Sequence, residues 1–146
     1  MGGPFVVNLT FGLQTPRDLL GKLKRDAALL NEEVTDDRFF NFVVTGYSII
    51  DWVKNGDFSD TVTTAVWEMH KEQSIKICGD IAIASKHFKV KTRDPITSTV
   101  EPVEYGWGRR WGEAFGLCGP GMRIELNDGT VFSHVTFIEN VINAFL

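Results

Sequence analysis

The spacing of apolar residues in this chain changes at Arg93–Pro95. Before that point the pattern repeats as on a helix, and after it the apolar residues alternate. Side chains share a face every 3.6 residues on a helix and every second residue on a strand, so one segment cannot serve both patterns. The change divides the chain into a helical part, about residues 15–92, and a β-rich part with a final helix, about residues 95–146. Helices and strands segregated in this way predict an α+β fold. The expected order is a bundle of about three or four helices, a small antiparallel sheet and a short C-terminal helix. Neither part is large enough to close a core by itself, so residues 1–146 are expected to form a single domain.

Local signals set the elements. Thr15-Pro-Arg-Asp18 reads as a helix start: Thr15 to cap, Pro16 at the first helical position and Asp18 as the acid of a capping box. Leu19, Leu23, Ala27 and Leu30 follow as one apolar stripe, with Lys22, Lys24, Arg25 and Asp26 on the solvated side. A second helix is predicted from near Asp36 to Lys54, with Asn55-Gly56 as its stop. Its expected core face holds Phe40, Val43, Val44, Tyr47 and Ile50, with Asp51 on the same face. Ser59 to Phe88 reads as one long or two consecutive helices, carrying the stripe Ile77, Ile81, Ala84 and Phe88. "ITSTVEPVEY" is strand-like, and "MRIELNDGTVFSHV" is a hairpin turning at Asn127-Asp128-Gly129. Thr136 to Glu139 reads as a second capping box, opening a helix lined by Ile138, Val141, Ile142 and Phe145. Phe5–Phe11 is strand-like, with no evident partner.

Charge and composition narrow the function. A net charge of −4 argues against general affinity for nucleic acid or anionic membranes. No apolar run reaches membrane-spanning length, and the first residues lack the basic and apolar regions of a secretory signal. Cys78 and Cys118 lie in unlike contexts and are expected to be reduced thiols in the cytoplasm. His70 and His134 have no companions at ligand spacing, so neither a metal nor another cofactor is expected. The richness in aromatic residues suggests a homodimer.

Two groups of residues could carry function. On the predicted helices, Tyr47 and Asp51 stand on one face, while Asp80 and His87 lie about 20° apart on the other wheel. If those faces meet, a Tyr–Asp–His network forms. It could be a buried polar network that sets helix register, or a carboxylate orienting an imidazole as general acid or base. The structural reading is preferred, because buried polar groups are normally hydrogen-bonded and no nucleophile is placed to complete a triad. The second group is the glycine-rich run "YGWGRRWGEAFGLCGPG", with Trp107, Arg109, Arg110 and Trp111 between its glycines. Its tryptophans could fold back over the sheet. Equally, tryptophan and arginine are common binding anchors, able to grip a protein or small-molecule partner by stacking and guanidinium pairing.

The pieces "FFNFVVTGYSIIDWV" and "ICGDIAIASKHF", followed by a hairpin with "ELNDGT" and a closing helix, resemble a family of small uncharacterised bacterial proteins. The likeness runs from Thr15 onward and implies no particular activity. A more distant resemblance is to HEPN-type helical domains, some of which are ribonucleases that pair an arginine with a histidine on one helix. It implies His87 as that histidine, but Asp80 to Lys86 contain no arginine. The reading that results is a non-catalytic binding or protein-interaction module. The alternative is a small hydrolase or degenerate HEPN-like ribonuclease using His87 with Asp80 or Asp51.

Overall fold

In the computed structural model, residues 12–55, 68–69, 71–87, 94–105 and 119–146 are described, with the backbone alone for Asn55, His87 and Tyr105. Among the described residues, four complete helices and three strands follow in the order α1 (Pro16–Glu32), α2 (Asp36–Asn55), α3 (Gln73–His87), β1 (Thr97–Tyr105), β2 (Gly119–Leu126), β3 (Val131–Ser133) and α4 (His134–Ala144). The layout is α+β, with helices first, then an antiparallel sheet in the order β1-β2-β3, then a short closing helix. Phe5–Phe11, the first part of the Ser59–Phe88 segment and Phe88 itself lie outside the described residues.

The start of α1 forms as its residues require. Thr15 Oγ1 accepts from the Asp18 N–H at 3.1 Å, and Asp18 Oδ2 accepts from the Thr15 and Gln14 amides at 3.0 and 2.9 Å. Those amides hold the Asp18 carboxyl below the usual carboxylate range. Leu19, Leu23, Ala27 and Leu30 are buried together. Asp26 departs from its expected place among solvated residues. It is buried, and its Oδ2 accepts from Lys22 Nζ at 2.6 Å and from Thr45 Oγ1 of α2 at 2.7 Å. Asp26 lies within about 60° of Leu19, Leu23 and Leu30 on the wheel, so the contact with α2 covers it as well as the apolar stripe.

The face of α2 also differs from expectation. Phe39, Phe42, Val43, Ile49 and Ile50 are buried, while Phe40 is 47% exposed and Asp51 is exposed. The buried face is rotated by roughly 100°, one residue, from the expected one, with Val43 and Ile50 shared by both. Both faces are apolar enough to pack. The neighbours decide between them, because α2 meets α1 along one side and α3 along another. At the centre of that meeting is Gly46. A Cβ there would stand 3.5 Å from Cys78 Sγ and Val141 Cγ1, and 3.6 Å from Leu23 Cδ1.

β2 alternates as a half-buried strand should, with Met122, Ile124 and Leu126 inward and Arg123 and Glu125 outward. Arg123 Nη1 lies 3.2 Å from both Glu101 of β1 and Glu125. The β2–β3 turn falls at Asn127–Gly129 as predicted. Gly129 has φ 91°, and Asp128 Oδ1 accepts the Thr130 N–H at 2.9 Å. The cap of α4 is Ser133 rather than Thr136: Ser133 Oγ accepts the Thr136 N–H at 3.3 Å. The helix starts as soon as β3 ends, so the last strand residue, still extended, does the capping. From α4, Phe137 packs against Phe39 and Phe42 at centroid distances of 5.9 and 6.0 Å.

The spacing around Gly46 leaves room for one methyl group and little more. Gly46→Ala should be neutral or raise stability by up to about 1 kcal/mol, through better helix propensity. Gly46→Leu should lower it by about 1–3 kcal/mol, through overpacking. Urea unfolding of the two variants checks both signs.

Candidate functional site

Asp80 sits in the middle of α3 and is 3% exposed. Its Oδ2 accepts three hydrogen bonds from the start of β1: Ile96 N–H at 2.9 Å, Thr97 N–H at 3.0 Å and Thr97 Oγ1 at 2.9 Å. The strand register explains why the Thr97 amide needs an acceptor. In an antiparallel ladder, opposite residues that do not bond each other both turn their amides outward. Leu126 gives its N–H to Thr130 O, away from β1. Thr97, opposite Leu126, therefore turns its amide to the outer edge of β1, where Asp80 receives it.

The same logic applies further along. The Met122 N–H goes to His134 Nδ1, so Pro102, opposite Met122, has its nitrogen on the outer edge. Among the described residues β1 pairs on one side only. Its outer edge is thus closed at the start by Asp80, irregular between Thr97 and Thr99, lacking a donor at Pro102, and flanked by exposed Glu101 and Glu104. Together these discourage another chain from adding a strand there. Asp80 is one part of that protection, and it also ties the helical layer to the sheet.

The four helical candidates are therefore distributed as follows. Tyr47 is half-buried and Asp51 is exposed, so the expectation that Asp51 shares the buried face of α2 is corrected. His87 is the last residue of α3, about 10 Å along the axis from Asp80, and its side chain lies outside the described residues. Beside Asp80 an open groove of about 390 Å³ runs between α3 and β1, lined by Ile81, Ala84, Ser85, Thr97 and Val100. Cys78, on the same helix, faces the core, and burial pushes its thiol well above the ordinary range, which leaves it inert as a nucleophile. Among the described residues, no group of three or more His, Cys, Asp or Glu could hold a metal ion, and no helix is long and apolar enough to cross a membrane.

Trp107, Arg109, Arg110 and Trp111 lie outside the described residues, but both ends of their segment are described. β1 and β2 remain paired up to Tyr105 opposite Gly119, where Gly119 takes φ 83°. Residues 106–118 therefore leave from and return to a hydrogen-bonded stem. Next to this stem an open groove of about 290 Å³ separates Val34–Asp36 from Pro102–Glu104 and Pro120–Met122.

Two polar groups escaped the sequence reading. The Lys22–Asp26–Thr45 set bridges α1 and α2, and only the i, i+4 spacing of Lys22 and Asp26 hinted at it. His134, 6% exposed, accepts the Met122 N–H at 3.2 Å, and burial pulls its pKa below the ordinary value. Its position at the junction of a strand and a helix is the available signal.

If Asp80 is a clasp on the β1 edge, its removal should act on stability. Asp80→Ala should cost about 2–4 kcal/mol, since it leaves two amides and a hydroxyl without their charged acceptor. Asp80→Asn, which retains one carbonyl acceptor, should cost about half as much. Chemical denaturation checks the order of the two.

No protein-family model, no curated protein and no solved structure matches this chain, and the site stands on its geometry alone.

Proposed function

We propose that this chain is a non-catalytic binding module that recognises a protein or small-molecule partner through the connection at residues 106–118. The observation that carries the reading is the stem: an antiparallel ladder closed at Tyr105–Gly119 holds both ends of a segment rich in tryptophan and arginine. Binding residues commonly stand on loops that a rigid scaffold positions, and tryptophan and arginine dominate binding energy where they are buried by a partner. The bonding of Asp80 supports the non-catalytic side, because its Oδ2 serves the β1 backbone. Cytoplasmic location belongs to the same proposal, supported by Cys78 as a free thiol. So does self-association, for which Phe40 offers an exposed aromatic ring.

Replacing Arg110 and Trp111 together by alanine tests the recognition role. Partner capture from a lysate of the source cells, quantified by mass spectrometry, should fall by about tenfold or more. The melting temperature should move by no more than about 2 °C. A large drop in melting temperature with capture unchanged would show that the tryptophan is packing the fold.

A further inference from the structure

β3 stops after three residues, paired Glu125–Val131, Ile124–Phe132 and Arg123–Ser133 with β2. The next rung would join Met122 to residue 134, but that residue already begins α4. His134 fills the rung with its side chain, Nδ1 accepting the Met122 N–H at 3.2 Å in a buried setting. An imidazole nitrogen accepts a hydrogen bond only while it carries no proton. With a proton on Nδ1, N–H would face N–H where little water can intervene, and the rung is lost.

Met122 also lines the groove beside the stem, together with Gly121 and Pro120, and lies three residues along β2 from Gly119, where the 106–118 connection returns. We propose that His134 is a proton-operated latch on this returning leg of the stem: neutral, it holds Met122 in place; protonated, it releases Met122 and loosens Gly119–Gly121 with the groove. The inference rests on the reading of residues 106–118 as the recognition element and concerns the regulation of that element.

Of the charged residues on the elements packed against α4, the Lys22–Asp26 pair of α1 is directed to Thr45 of α2, Asp80 of α3 is directed to the entry of β1, and Asp51 and Lys54 of α2 are exposed, as is Glu139 of α4 itself. β2 brings Arg123 and Glu125 on the other face of the sheet, and β3 carries no charged residue. Burial pulls the His134 pKa below its ordinary 6.5. The unfolded chain therefore takes up this proton more readily than the folded one. The latch contributes fully above the unfolded value and is lost as pH falls through the lower folded value.

Amide exchange of the full chain by NMR, at about pH 7.5 and about pH 5 and expressed as protection factors, tests the latch. In the wild type, the Met122 amide should lose about tenfold or more protection relative to Ile124 on acidification. In His134→Asn, whose side-chain oxygen accepts at either pH, the Met122 amide should stay within about twofold. Protection in the wild type that stays unchanged through the imidazole's own transition, or parallel loss in both proteins, overturns the latch. Should His134→Asn fail to fold, titration of the wild-type imidazole alongside the Met122 amide decides. An amide that stays protected through the imidazole's own transition overturns the proposal, and one that opens with it supports it. The readout involves no partner, so failure of the binding role and failure of the latch are seen separately.

Discussion

Three hydrogen bonds converging on one carboxylate oxygen connect the two halves of this fold. Asp80 Oδ2 receives the Ile96 and Thr97 amides and the Thr97 hydroxyl, and so joins the middle of α3 to the first residues of the sheet. Residues 88–93 are the only stretch of chain between α3 and the entry to β1 that lies outside the described residues. Once β1 begins at Thr97, its register against β2 places Met122, Ile124 and Leu126 inward and carries the pairing on to Tyr105 and Gly119. A carboxylate is suited to this place because it can accept several bonds at one oxygen, and charge-assisted bonds are stronger than neutral ones. Its burial is tolerable only because those donors are present.

Asp26 meets the same problem with side chains. Lys22 supplies the opposite charge from one turn earlier on α1, and Thr45 supplies a hydroxyl from α2. Lys22 keeps a third of its side-chain surface in solvent, which limits the desolvation that a fully buried pair would incur. The two acids thus join different pairs of elements, Asp26 holding α1 to α2 and Asp80 holding α3 to β1. His134 does a comparable task at the other end of the sheet, replacing a missing strand residue by an imidazole. Each of the three polar groups works at a junction where regular secondary structure leaves backbone or side-chain groups in need of partners.

How far the sequence reveals this depends on the range of the interaction. The Thr15–Asp18 capping box, the α1 stripe and the turn at Gly129 were legible because residues within four positions decide them. The buried face of α2 was not, because two overlapping apolar stripes were available and contacts with α1, α3 and α4 select one. Asp80 is conspicuous in the sequence as an acid on an apolar helix, but the donors to its Oδ2 are the Ile96 and Thr97 amides and the Thr97 hydroxyl rather than groups of α2, and backbone donors leave no side-chain pattern. The cap of α4 moved from Thr136 to Ser133 because the strand and helix adjoin without a loop, a tertiary circumstance. Of residues 106–118 only the composition is legible in the sequence; the pairing of β1 with β2 that brackets them joins strands 14 residues apart and is shown by the structure.

The clasp at Asp80 is tested most directly by the exchange rate of two amides, Ile96 and Thr97, in the wild type and in Asp80→Ala. Thr97 turns its amide to the outer edge of β1 and Ile96 directly precedes the strand; both give their N–H to Asp80 Oδ2, and amides without an acceptor exchange quickly. If Asp80 holds them, both amides are protected in the wild type like those of the β1–β2 ladder, and the substitution releases them while Ile124 stays protected. Fast exchange of Ile96 and Thr97 in the wild type, or protection that survives the loss of the carboxylate, would contradict the clasp.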